Sequence, residues 1–232
     1  MSARIVNTPA PDFADGEASD PIRTVRLTER GEQRRQALID AARDVFLEQG
    51  YERASIEEVM RRVGGGSKAS LYSYFGSKEG LFWEVLSLQC DRFMQDLRVP
   101  TIADDQVEEA LSAVARRFLK QISEPVSLNL FRLMIAEAPR FPELAERFYE
   151  RGALSVRQML GRYLALQCEA GRLDCEDVEL SAIHFFELLK APHLRMLLGL
   201  SPFPRGQSTE KYVAQSVRLF LNGCAANGKG RR

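Results

Sequence analysis

Residues 55–82 read SIEEVMRRVGGGSKASLYSYFGSKEGLF. Ile56, Val59, Met60 and Val63 recur at three- and four-residue spacing, which marks one buried face of a short helix. Ser55 and Glu58 stand at capping-box spacing, so Ser55 is expected to serve the Glu58 amide and Glu58 to return to the Ser55 amide. Gly64, Gly65 and Gly66 end that helix, because the backbone entropy of three glycines is too costly to fix in one. A second short helix is predicted from about Lys68 to Phe75. Gly76-Ser77 then stops it, and a longer helix runs from Lys78 to about Leu97. Two short helices around a glycine turn have the dimensions of a helix-turn-helix.

The helical wheel of the second helix shows what it can present. At about 100° per residue, Leu71 and Phe75 share one side and face inward. Ala69, Ser70 and Ser73 then point outward, with Tyr72 and Tyr74 beside them. A face of alanine and small hydroxyls can approach base edges closely, while flanking phenols reach phosphates. Lys68 lies in the first turn of this helix. Lys78 opens the next one, where a phosphate would also meet backbone amides. A lysine there opposes the positive end of the helix dipole, a mismatch that favours an anionic partner.

Working outward, Leu38, Ala41, Ala42, Val45 and Phe46 form a helical stripe that stops at Gly50. Residues 1–28 are polar, carry Pro9, Pro11 and Pro21, and are expected to be a disordered arm. Beyond Pro100, Val107, Leu111, Val114, Phe118 and Ile122 make one amphipathic face. Another helix is expected over 126–138, and a long one from Phe141-Pro142 to Ala170. Residues 176–199 are apolar on nearly all sides, as a helix buried in a core or between subunits would be, and Pro192 predicts a kink. A final helix covers about 208–224. The expected fold is all-α. An N-terminal three-helix head spans 29–92, with its helix-turn-helix at about 55–75; a C-terminal helical bundle covers 93–226, and a basic tail occupies 227–232.

The 232 residues are 45% hydrophobic and 28% charged, which excludes a wholly disordered chain. The formal net charge is zero, but it is unevenly spread: −3 over 1–21, +2 over 22–80, −2 over 81–220, and three basic residues in the tail. Arg23, Arg26, Arg30, Arg34 and Arg35 cluster ahead of the mildly acidic body, which fits a local phosphate contact or a solvated helix face equally well. The apolar runs are shorter than the roughly 18 residues of a membrane span, and no secretory signal opens the chain, so a cytoplasmic protein with no membrane partner is expected. Cys90, Cys168, Cys175 and Cys224 lack C-x-x-C spacing and only two histidines are present, so no metal site is assigned. No cofactor site and no catalytic residue is assigned either, for want of a nucleophile–base pairing.

Residues 55–82, with the preceding RRQALIDAARDVFLEQGY, resemble the DNA-binding domain of the TetR family of transcriptional regulators over about residues 32–92. One departure stands out: the family's turn usually reads G-x-S-K, whereas Gly64-Gly65-Gly66-Ser67-Lys68 is one residue longer. The resemblance implies a homodimer whose paired recognition helices enter successive major grooves of a palindromic double-stranded operator. It further implies that the C-terminal helices form the dimer interface, for which 176–199 and 208–224 are the candidates, and enclose a small-molecule effector. Carried over by position, Tyr72, Tyr74 and Lys78 match phosphate and groove contacts, Ser70 a base contact, and Ser55 the backbone clamp that starts the second helix. Leu130–Arg151 is similar to one regulatory-domain subgroup of the same family.

For an apolar or amphipathic effector, the candidate lining is Phe118, Phe131, Met134, Phe148, Met159, Tyr163, His184 and Phe185. Each, taken singly, also fits plain core packing. The reading that follows is a ligand-responsive repressor. The alternative is a small-molecule-binding or adaptor bundle whose DNA head has been disabled by the longer glycine turn.

Overall fold

A computed structural model describes residues 28–97 and 106–224 of the chain. The expected arm up to residue 27, with Arg23 and Arg26, and the tail over 227–232 lie outside the described residues. Helix α1 (Glu29–Arg53) is capped by Thr28 and leaves helical geometry at Gly50, φ 75°, where its apolar stripe ends. Helices α2 (Ile56–Arg62), α3 (Lys68–Phe75) and α4 (Lys78–Asp96) follow. Ser55, Ser67 and Ser77 cap them, each accepting from the amide three residues on. The reciprocal half of the capping box is absent: the Glu58 carboxylate turns instead to Arg61 and Arg62, which form charge-assisted bonds of 2.7–2.9 Å.

The body consists of α5 (Val107–Ser123), α6 (Pro125–Glu137), α7 (Pro142–Tyr149), α8 (Ser155–Glu169), α9 (Val178–Leu197) and α10 (Thr209–Cys224). The uninterrupted helix expected from Phe141 to Ala170 is broken by a π turn, Glu150–Leu154, between α7 and α8. This turn is pinned to α4: Arg151 grips Asp91 through two bonds of 2.9 and 3.0 Å, and a Cβ on Gly152 would lie 3.6 Å from the Cys90 sulfur. The wider turn therefore sits where the chain passes close to α4. Helix α9 runs through Pro192. The Leu188 carbonyl, which the proline ring leaves without its helical N–H, accepts from the Tyr212 hydroxyl.

Two cores organise these elements. The first joins α1–α4 through Leu38, Phe46, Val59, Leu71 and Phe82, and is closed by Leu130, Met134 and Leu144 of α6 and α7. The second lies among α5, α8, α9 and α10, around Leu111, Phe118, Leu160, Phe185, Phe186 and Val217. Helix α4 spans both, from Leu81 and Phe82 in the first to Phe93 and Leu97 at the second. No described helix is long and apolar enough to cross a membrane.

Candidate nucleic-acid interface

Helix α3 begins and ends where its serine cap and glycine stop require. Leu71 and Phe75 are buried, which turns the opposite side outward: Ala69 and Ser73 are exposed, Ser70 is half-buried, and the Tyr72 ring is 44% exposed. Tyr74 is half-buried against the first core, its ring tilted against Phe75 at 5.9 Å. The Ser73 hydroxyl is bonded back to the Ser70 carbonyl at 2.7 Å, so in this rotamer it offers an acceptor outward.

The turn ahead of α3 is set by an arginine that sequence reading left in a general basic cluster. Gly64, Gly65 and Gly66 all have positive φ, 80°, 91° and 118°, which only glycine adopts without strain. The Gly65 amide closes on the Met60 carbonyl at 2.9 Å. From α1, Arg34 donates to the Val63 carbonyl at 3.0 Å and to the Gly65 carbonyl. The available signal is periodicity: Arg34 precedes Leu38 by four residues and continues the inward stripe of α1. Arg35, beside it, pairs with Glu84 of α4.

The two lysines are held rather than loose. Lys68 pairs with Glu57 of α2, and this hydrogen bond holds the Glu57 carboxyl below its ordinary range. Lys78 donates to the Glu52 carbonyl at 3.2 Å and lies 4.5 Å above the Tyr51 ring, with burial lowering its pKa. Ser55 is half-buried, and its side chain caps α2 at the Glu58 amide. The DNA-facing candidates Ser55, Lys68, Ala69, Ser70, Tyr72, Ser73, Tyr74 and Lys78 thus lie along α3 and the starts of α2 and α4. Glu52, Tyr51 and Glu57 orient the lysines, a role visible only once the fold brings them together.

The candidate effector residues do not gather in one place. Phe118 and Phe185 are buried in the second core, with Met159 and Tyr163 packed against it. Met134 is buried in the first core. Phe131 and Phe148 pair at 6.1 Å, and Phe131 meets His193 at 5.1 Å. His184 is exposed on the outer side of α9. An open cleft of about 510 Å³ between α5, α10 and the loop after α9 is lined by other residues, among them Leu119, Lys120, Pro202 and Phe203. Among the described residues, no group of three or more His, Cys, Asp or Glu side chains is placed to hold a metal ion.

Comparison with known proteins agrees with this geometry. Residues 38–85 match the model for bacterial regulatory proteins of the tetR family, and residues 109–224 match the AefR-like transcriptional repressor C-terminal domain. The flavonoid-responsive regulator FrrA shares 31% identity, with a TM-score of 0.74 over 85% of this chain and 100% of its own. A TetR-family regulator structure from Mesorhizobium loti shares 27% identity, with a TM-score of 0.74 over 85% of this chain and 100% of its own. The transcriptional repressor ComR of Escherichia coli is 28% identical over 130 residues, 54% of this chain and 61% of ComR. An all-helical body carrying a clamped helix-turn-helix, matched by family models over both parts, places this chain in the TetR family of DNA-binding transcriptional regulators.

Proposed function

We propose that the chain is a ligand-responsive repressor that binds a palindromic operator as a homodimer. The observation that carries this reading is the outward face of α3, where Ala69, Ser70 and Ser73 stand beside an exposed Tyr72 on a helix locked from behind by Leu71 and Phe75. Ala69, Ser70 and Ser73 read base edges, while Lys68, Lys78, Tyr72 and Tyr74 position the head on phosphates, with Ser55 holding the start of α2. Gly65-Gly66-Ser67-Lys68 itself fits G-x-S-K and the Arg34 clamp closes it, so the glycine turn that favoured a disabled head has a structural purpose instead.

Dimerisation is supported by the outer face of α9. Leu180, His184, Glu187, Ala191, Leu194 and Leu198 are all exposed and follow alternating four- and three-residue steps, the seam spacing of helices packed at about 20°. Leu194 and Leu198 are 63% and 68% exposed, an apolar pair at the end of the seam, and Leu219 of α10 is likewise exposed. Glu187 in this seam is already paired with Arg157 and Lys190 of its own chain, and these cations outweigh burial to hold its pKa low. Self-complementary contact through 176–199 and 208–224 gives a two-fold dimer, as a palindrome requires.

An apolar or amphipathic effector is inferred to act where α4 rests on the second core. Phe93 of α4 meets Phe118 at 6.0 Å, and Phe118 meets Phe186 at 4.7 Å, with Met159 and Tyr163 packed against the same core. A ligand entering there has to part Phe93 from Phe118. Because the other end of α4 carries Leu81 and Phe82 of the head core, that movement re-aims α3. The effector shifts a population, by no more than its differential affinity for the two states. Selection of bound fragments from a random DNA library tests the proposal. One palindromic consensus with half-sites a helical turn apart is expected, and a collection without symmetry or consensus contradicts it.

A further inference from the structure

Three of the four cysteines meet at one end of the body. Cys168 lies in the last turn of α8, Cys175 in the loop before α9, and Cys224 closes α10. The backbone brings them together: the loop turns back with the Leu173 amide on the Gln167 carbonyl at 3.3 Å, and the Asp174 amide donates to the Cys224 carbonyl at 2.9 Å. The Cys175 sulfur interacts electrostatically with the Cys168 and Cys224 thiols and the Ser181 hydroxyl. All three thiols are partly buried against the second core. DNA contact does not use them, and none belongs to the exposed α9 seam, although Cys224 ends the 208–224 segment.

We propose that Cys175 and Cys224 are a peroxide-oxidised site that forms an intrachain disulfide, with Cys168 as a third thiol against the same core. Their backbones are already joined through the Asp174–Cys224 hydrogen bond. Cys175 lies in a loop and Cys224 ends its helix, so both can adjust to the narrow dihedral a disulfide demands. Cys168 is less free, its carbonyl taken by the Gly171 amide at 2.9 Å where α8 ends. In the reaction, one thiolate attacks an oxygen of ROOH and breaks the O–O bond, giving a sulfenic acid, while the alkoxide takes a proton and leaves as ROH. The second thiol attacks the sulfenic sulfur, and its proton departs with the hydroxide as water. Two thiols lose two electrons and the peroxide gains them. Burial raises the thiol pKa of Cys168 and Cys175, which lowers the thiolate fraction near neutral pH, so oxidation is slow there and quickens as the pH rises. The product ties the foot of α9 to the end of α10.

The full chain, treated with a small excess of hydrogen peroxide, is expected to lose two of its four thiols to Ellman's reagent under denaturing conditions and to regain them with dithiothreitol. Peptide mapping is expected to join Cys175 to Cys224. Cys90 serves as an internal control: it is buried, its pKa pushed up to about 12, and it stays free to alkylate after unfolding. Cys168→Ser should keep the cross-link, whereas Cys175→Ser and Cys224→Ser should each abolish it. Four free thiols, a Cys168–Cys175 link, or disulfide dimers on a non-reducing gel would each overturn the assignment.

Discussion

The Arg34 guanidinium occupies the space a side chain on residue 66 would need: a Cβ built on Gly66 lies 2.5 Å from Arg34 Nη2. Arg34 cannot simply swing away, because it is bonded to the Val63 and Gly65 carbonyls. Gly66→Ala therefore combines a positive-φ penalty with loss of the clamp and should destabilise the chain by about 1–3 kcal/mol, weakening operator binding in step. Gly64→Ala meets open space and carries only the backbone penalty. Urea denaturation of both variants should rank Gly66→Ala as the more damaging; equal losses would mean the clamp contributes nothing.

Removal of the Lys78 side chain should lower affinity almost equally for all DNA sequences and reduce the salt slope by about 1. Ser70→Ala should instead change which bases are preferred at one position of each half-site. Anisotropy titrations on a panel of point-substituted operators separate the two patterns. Uniform, sequence-independent losses from both changes would remove Ser70 from base readout.

Leu194→Glu puts a charge in the α9 seam at a position already exposed in the single chain, so the fold should survive. Light scattering should then report monomers, and the loss of two-headed binding should weaken operator affinity about 100-fold or more. A variant that remains a dimer would move the interface away from α9.

Tyr212→Phe deletes the hydroxyl donor to the Leu188 carbonyl opposite Pro192 and should cost about 1–3 kcal/mol. Pro192→Ala restores a backbone N–H there, so in that background the same change should cost less. A double-mutant cycle measures the difference, and strict additivity would show that the hydroxyl does not substitute for the missing helical bond.

His193 is held below its ordinary pKa of 6.5 by burial, with Lys190 and Arg132 adding to the effect. Because the unfolded chain protonates first, stability should fall as the pH drops below about 6.5, and level off once the folded form also titrates. Denaturation midpoints of His193→Gln should show a flatter profile through that window. Unchanged slopes would assign the acid sensitivity to other groups. Glu58, held down to about 2 by Arg61 and Arg62, acts only in stronger acid: its contribution is present above about 4.5 and lost as the pH falls toward 2.

The limits of α3 were legible because they are written locally, in Ser67, Gly76 and the Leu71–Phe75 pair. The Arg34 clamp was not, since it joins residues 29 and 31 positions apart and only α1 packing on the turn brings them together. Residues 150–154, ERGAL, bury no side chain, so apolar periodicity carries no mark of the π turn. Apolar spacing also looks the same for core and cavity, which is why the effector candidates scattered between two cores. His184 and His193 illustrate the point: nine residues apart on α9, they face opposite ways, and His193 is the one that meets an aromatic ring.

The most direct test of operator recognition is an anisotropy titration at several salt concentrations, comparing a selected palindrome with the same fragment after one half-site is scrambled. A sequence-reading dimer should bind the intact palindrome with a steep salt dependence and at least about 1,000-fold more tightly than unrelated DNA, with scrambling costing most of that preference. Equal, weak and salt-labile binding to both fragments would contradict it.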